Sequence, residues 1–153
     1  MAYVLTADGG TESLRARIYD LSGTCVASHA EPYETAFSAG ARAEQNPADW
    51  WANFVAASRA AIAQAGIEPG QIEAIAYATT SCSVVALDEN GDALRPAIIW
   101  MDVRADAEAD AVLATGDPAL KLNGGGQGPV SAEWMIPKAL WLKRNEPEVF
   151  DRA

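Results

Sequence analysis

Hydrophobic positions run in short strand-like stretches over the first third of the chain and fall into helical periods further on. Tyr3 to Ala7 is apolar enough to read as a buried strand, and Asp8-Gly9-Gly10-Thr11 closes it with a tight turn. From Ser13 to Tyr19 the pattern alternates, with Leu14, Ala16 and Ile18 on one face and Arg15, Arg17 and Tyr19 on the other. Asp20-Leu21-Ser22-Gly23 is a second turn, and Thr24 to Ala30 a third strand. Three strands joined by short turns predict an antiparallel meander. Glu34 to Glu44 is small, polar and irregular, and reads as a surface loop. Asn46 is a helix N-cap, Pro47 fits the first helical position and Asp49 the first turn. The helix then runs to about Ala65, with Trp50 or Trp51, Phe54, Val55, Ala61 and Ile62 as its apolar stripe, and Gly66 stops it.

Beyond that helix, Ile72 to Ala78 and Ser83 to Leu87 read as strands, the second closed by the turn Asp88-Glu89-Asn90-Gly91. Arg95 to Trp100 is a short apolar strand, and Asp102 to Ala114 an alanine-rich helix broken by Thr115-Gly116-Asp117-Pro118. Asn123 to Pro129 is the least regular stretch. Ser131 caps a helix with Trp134, Met135, Leu140 and Trp141 as apolar positions, and Pro137 bends it or marks where its regular part begins. Asn145 caps a last segment running from Glu146-Pro147 into Phe150. The order of elements predicts an α/β fold: a mixed sheet with an antiparallel three-strand start and flanking helices.

Length and charge narrow the class. At 153 residues the chain is long enough for one domain with its own core, without disulfides or a structural metal. Eleven Lys and Arg against 21 Asp and Glu give a net charge of −10, which repels a phosphate backbone and argues against general nucleic-acid binding. A nucleotide substrate stays compatible with that charge, because Mg²⁺ and backbone N–H groups hold phosphates locally. The only cysteines, Cys25 and Cys82, form neither a zinc pattern nor a CxxC pair, so a reducing cytoplasm is the expected location. Met1 to Thr6 lacks the basic start and long apolar run of a signal peptide, and no stretch approaches membrane-spanning length. His29, the single histidine, has no carboxylate or cysteine cluster beside it and reads as a surface strand residue.

Four segments carry candidate chemistry. In Asp8-Gly9-Gly10-Thr11-Glu12-Ser13, the glycines allow close approach of a phosphate and their N–H groups suit its oxygens. Thr11 and Ser13 add hydroxyls there, Asp8 is placed to hold Mg²⁺, and Arg15 could pair with a phosphate. The same residues also make an ordinary Asp-Gly hairpin turn. In Trp100-Met101-Asp102-Val103-Arg104, an aromatic plane beside a carboxylate and a guanidinium suits a polyol. The plain alternative makes Trp100 core, Asp102 a helix cap and Arg104 its solvated partner. Thr79-Thr80-Ser81-Cys82-Ser83 lines a hydrophilic pocket or forms a polar bend, and Cys82 has no neighbouring histidine to activate it as a nucleophile. Gly124-Gly125-Gly126-Gln127-Gly128 lacks a following Lys-Ser/Thr and reads as a flexible loop.

Taken together these segments resemble the FGGY family of carbohydrate kinases, along essentially the whole chain. The resemblance rests on Asp8 to Arg15, on Glu44-Gln45-Asn46-Pro47 with Trp50-Trp51, and on Leu87-Asp88 through Gly91 and Leu94 to Trp100, Asp102 and Arg104. It extends to Ser131-Ala132-Glu133-Trp134-Met135-Ile136-Pro137-Lys138 with Leu140-Trp141-Leu142 and Asn145-Glu146-Pro147, which is similar to ribulokinase- and xylulokinase-like members. It implies an actin-like ATPase (ribonuclease H-like) fold whose two lobes close over ATP and sugar. Asp8 would then help hold Mg²⁺, with Gly10, Thr11, Ser13 and Arg15 facing the transferring phosphate. Trp100, Ser81 and Cys82 would contact the sugar, and Asp102 and Arg104 would support the shape of that pocket. The implied reaction moves the ATP γ-phosphate to a hydroxyl of a pentulose, with sugar and ATP as partners, no nucleic acid or membrane, and room for a homodimer of the full-length protein. Family members are roughly three times this length, and their catalytic aspartate lies in a later region. Residues 1–153 therefore correspond to a truncated N-terminal, sugar-binding lobe, without the nucleotide lobe and inactive alone. The alternative is a non-catalytic sugar-binding or regulatory module on the same fold.

Overall fold

A computed structural model describes residues 1–126 and 130–153. The chain divides into two compact units rather than the single core its length suggested. Met1–Glu34 and Asn46–Thr80 form the first, and Thr35–Gln45 with Ser81–Ala153 the second, so the chain passes between them three times.

The first unit is built on a four-stranded sheet of β1 (Tyr3–Gly9), β2 (Ser13–Asp20), β3 (Cys25–Pro32) and a later strand, Ile72–Thr79. β1 pairs antiparallel with β2, β2 antiparallel with β3, and β1 parallel with Ile72–Thr79, giving the expected mixed sheet behind a meander. The alternation of β2 sorts as predicted: Leu14, Ala16 and Ile18 are completely buried. Helix α1 (Pro47–Ala65) covers this face. Asn46 caps it by accepting from the Ala48 amide, and Gly66 ends it at φ 65°, the left-handed conformation that glycine adopts without steric cost. Its buried contact is made by Ala57, Ser58 and Ala61, flanked by Phe54 and Ile62, so the stripe is narrower and smaller than predicted. Small residues let the helix approach the sheet closely, and Trp51 is left 68% exposed. His29 lies on β3 with its side chain 41% exposed, a surface strand residue as expected, and its Nε2 lies 2.9 Å from Glu31 Oε1, because residues two apart on a strand share a face.

The second unit opens with a finding against the loop prediction for Glu34 to Glu44. That segment carries β4 (Ala36–Ser38) and β5 (Arg42–Gln45), and the strand within Arg95 to Trp100 is only β7 (Ala97–Ile98), with Ile72–Thr79 counted as β6. β5 pairs antiparallel with both β4 and β7. Its small, polar sequence hides a strand whose alternate residues Ala43 and Gln45 are buried by partners distant in sequence. β7 is short because Pro96 offers no N–H and the chain turns directly afterwards, with the Asp102 amide bonding the Ile99 carbonyl. Ser83 to Leu87 touches its neighbours only through isolated bridges, Val84 to Ile98 and Leu87 to Ala93, and is not a strand. The turn at Asp88 to Gly91 is as predicted: the Gly91 amide bonds the Asp88 carbonyl, and Asp88 Oδ1 accepts from the Asn90 and Asp92 amides.

The helices of this unit start later than their sequence signals. α2 spans Asp106–Leu113 rather than starting at Asp102, whose carboxylate is engaged elsewhere. Pro118–Gly126 winds as a 3₁₀ helix, so Gly124 to Gly126 are not irregular loop; Gln127, Gly128 and Pro129 lie outside the described residues. α3 (Met135–Asn145) takes Trp134, not Ser131, as its N-cap; Ser131 Oγ instead accepts the Glu133 amide in the preceding turn. Pro137 falls in the first turn, where its missing N–H costs nothing, and marks the start of regular helix. Met135 faces outward at 61% exposure, while Trp141 and Leu142 enter the core. α4 (Pro147–Phe150) is capped at Glu146, and Asn145 belongs to α3, donating to the Trp141 carbonyl.

Candidate functional site

In the first unit the candidate phosphate hairpin is the β1–β2 connection, with Thr11 and Glu12 at its tip. Three backbone bonds pin it: the Gly10 amide to the Ser13 carbonyl, the Tyr33 amide to the Glu12 carbonyl, and the Thr80 amide to the Gly9 carbonyl. Gly10 therefore spends its N–H on closing the hairpin, so the expected donation to a phosphate falls to other groups. What both glycines contribute is the absence of a side chain. A Cβ on Gly9 would lie 3.2 Å from the Tyr77 hydroxyl, and one on Gly10 3.3 Å from the Ser13 carbonyl.

Asp8 and Arg15 are direct register partners across β1 and β2, with Arg15 Nη1 3.5 Å from Asp8 Oδ2 and both side chains about half exposed. The strand therefore extends two residues past the predicted end at Ala7 and presents a carboxylate and a guanidinium together beside the hairpin. Tyr33 and Tyr77 border the same spot. Burial first, then the charges of Tyr77 and Asp8, push the Tyr33 phenol up to about 12. Burial and then Asp8 also raise Tyr77. Neither phenol ionises at neutral pH, so both are uncharged neighbours of Asp8. Among the described residues no group of three or more His, Cys, Asp or Glu could hold a metal, so Asp8 belongs to no protein-built metal cage. A single exposed carboxylate fits Mg²⁺, which keeps most of its waters and relies on phosphate oxygens for the rest of its shell.

In the second unit, Asp102 is completely buried and Arg104 has a side chain only 2% exposed, so Arg104 is not the solvated partner that the plain reading made it. Arg104 Nε lies 2.9 and 3.0 Å from the two Asp102 oxygens and Nη2 2.7 Å from Oδ2. Asp102 Oδ2 also accepts the Ala43 amide at 2.7 Å, which ties this turn to β5. Burial alone would raise the Asp102 carboxyl, but the Arg104 side chain and the Ala43 and Arg104 amides outweigh it and hold the carboxyl below its ordinary value. Burial likewise works against the Arg104 cation, and Asp102 and Glu44 reverse this and raise it. Glu44 also pairs with Arg95, whose Nε reaches Glu146 at 2.9 Å, while the Arg104 guanidinium stacks 4.9 Å over the Trp141 ring. The sequence marked Glu44 as part of a landmark but did not assign it this bridging role.

Trp100 is half-buried beside this network, Ser81 is exposed, and Cys82 is intermediate with a left-handed φ of 63°. Lys138, singled out by no sequence signal beyond its motif, is completely buried, and its ammonium donates to the carbonyls of Cys82 at 2.9 Å and Ile99 at 2.8 Å.

Comparison with known proteins places this architecture. Among solved structures, a xylulose kinase from Rhodospirillum rubrum superposes with a TM-score of 0.87 at 29% identity, covering 98% of this chain and 30% of that one. The fold is thus the actin-like α/β fold of the sugar kinases. The family model for the N-terminal domain of the FGGY carbohydrate kinases matches residues 3–153, and the chain belongs to that family. A xylulose kinase from Bacillus subtilis is 28% identical over the whole chain, and a human FGGY carbohydrate kinase domain-containing protein 32% identical over 99% of it. The chain spans 30% and 28% of their respective lengths.

Proposed function

We propose that this chain is the sugar-binding, N-terminal lobe of an ATP-dependent kinase that transfers the γ-phosphate of ATP to a hydroxyl of a pentulose such as xylulose or ribulose. The observation that carries the reading is the pinned hairpin with Asp8 facing Arg15 at 3.5 Å, because a carboxylate and a guanidinium beside the Gly9-Gly10 backbone suit a phosphate and its cation. Arg15 would release Asp8 to pair with the transferring phosphate, while the Thr11 and Ser13 hydroxyls supply neutral donors and Gly10 leaves room for the phosphate oxygens. Mg²⁺ held at Asp8 would neutralise charge on the phosphates.

Trp100 gives the sugar an apolar plane, with Ser81 and Cys82 as polar contacts. Asp102 and Arg104, both buried and paired to each other, act from behind by fixing the backbone between Trp100 and α2. The nucleotide lobe and the carboxylate that accepts the sugar's proton belong to the remainder of the parent protein, so residues 1–153 alone do not turn over. The Cys25 and Cys82 thiols are both free, which suits the reducing cytoplasm where ATP-dependent sugar phosphorylation runs.

The test is ADP release coupled to a spectroscopic readout, run on the parent protein and on residues 1–153 with xylulose, ribulose and glycerol. Turnover by the parent alone, fastest with a pentulose, is the expected result. Equal turnover by the short segment would contradict the split site, and binding without turnover in the parent would favour a non-catalytic sugar-binding module.

A further inference from the structure

Lys138 is the one lysine among the largest fully buried side chains, and the phosphate chemistry proposed above has no use for it. It leaves α3 with its whole stem in the interior and delivers its ammonium to three main-chain carbonyls: Cys82 at 2.9 Å, Ile99 at 2.8 Å and Trp100 at 3.5 Å. An ammonium carries three donors and no acceptor, so this set matches its capacity. Burial lowers its proton affinity, and the charges of Asp102, Cys82 and Glu133 act against that loss while Arg104 adds to it. A methionine-like side chain would fill the same volume without a buried charge to solvate. What the ammonium adds is a cross-link. It joins the turn at Cys82 to the end of β7 at Ile99 and Trp100, two segments that the backbone ladder connects only through the bridge of Val84 to Ile98.

Cys82 makes the purpose sharper. Its φ of 63° is one of only two positive values at non-glycine residues among those described, a conformation held only when surrounding contacts over-determine it. The Lys138 bond to its carbonyl is such a contact. We infer that Lys138 is a positioning residue for the sugar: its ammonium holds the Cys82 and Trp100 segments at a fixed separation, and so sets sugar affinity without touching sugar or phosphate. This rests on the assignment of Trp100, Ser81 and Cys82 to sugar contact made above.

The experiment uses the parent kinase carrying Lys138→Met, which keeps length and drops the donors, and Lys138→Arg, which keeps the charge. Sugar KM, ATP KM and kcat are measured together with the sugar Kd by calorimetry in the absence of ATP. Lys138→Met is expected to raise sugar KM and Kd by about tenfold or more while ATP KM stays within about twofold, with partial recovery in Lys138→Arg. An unchanged sugar Kd in folded Lys138→Met overturns the inference. So does a parallel loss in sugar KM, ATP KM and kcat that follows a lowered thermal midpoint, which marks a merely structural lysine. Should Lys138→Met fail to fold, Lys138→Arg decides by the same split: raised sugar KM with normal ATP KM supports the inference, and unchanged values overturn it. Trp100→Ala is measured alongside. If it leaves sugar binding intact, the sugar assignment of Trp100 fails, whereas Lys138 is judged on its own variants.

Discussion

Asp102 and Arg104, two residues apart, close on each other through Nε and Nη2 at 2.7 to 3.0 Å, in a pair with side chains 0% and 2% exposed. The pair is bidentate and further bound by the Ala43 amide and by Glu44, so the turn after Trp100 is held from β5 as well as by bonds within the turn.

Removing one member of this pair should be far worse than removing both. Asp102→Ala leaves the Arg104 cation buried with Glu44 as its only carboxylate partner and strips the Ala43 amide of its acceptor. The expected loss is about 3–5 kcal/mol of unfolding free energy, read as a lower urea midpoint at unchanged slope. A loss below about 1 kcal/mol would show that the pair is decorative.

The same carboxylate gives the fold an acid limit. Asp102 is held below its ordinary value in the folded chain, so the unfolded chain binds more protons as the pH drops through that range. Its contribution is therefore complete above the unfolded value, about 3.9, and is lost as pH falls through the folded value. Urea midpoints measured from pH 7 down to about 2.5 should fall below about pH 4, and Asp102→Asn should flatten that fall while lowering stability at neutral pH. Asp20 and Asp88 are also lowered, chiefly by the Ser22 side chain and the Asp92 amide respectively, but both sit in surface turns and carry less of the effect.

The elements legible in the sequence are those fixed by neighbours along the chain. The alternation of Leu14, Ala16 and Ile18, the Asn46-Pro47 cap and the stop at Gly66 each depend on residues a few positions apart, and each is where the pattern puts it. The pairing of Asp8 with Arg15 follows for a related reason, since a hairpin turns sequence proximity into register pairing. The second unit was read less well because its defining contacts are long-range. The Ala43 amide meets Asp102 across 59 residues and Lys138 meets Cys82 across 56, so β5 looked like loop and Lys138 carried no role of its own. Val84 and Leu87 satisfy strand propensity, yet only isolated bridges form there, because a ladder needs a partner that periodicity does not reveal.

The central claim is that the Asp8 hairpin serves phosphate transfer and not sugar binding. The direct measurement is Asp8→Ala in the parent protein, scored by ADP release with xylulose and by calorimetric sugar Kd. A fall in kcat of about 100-fold or more with sugar Kd within about twofold is expected, because Asp8 would act on the charge that moves in the transition state. Unchanged turnover in a folded Asp8→Ala variant would contradict it and leave the hairpin as an ordinary turn.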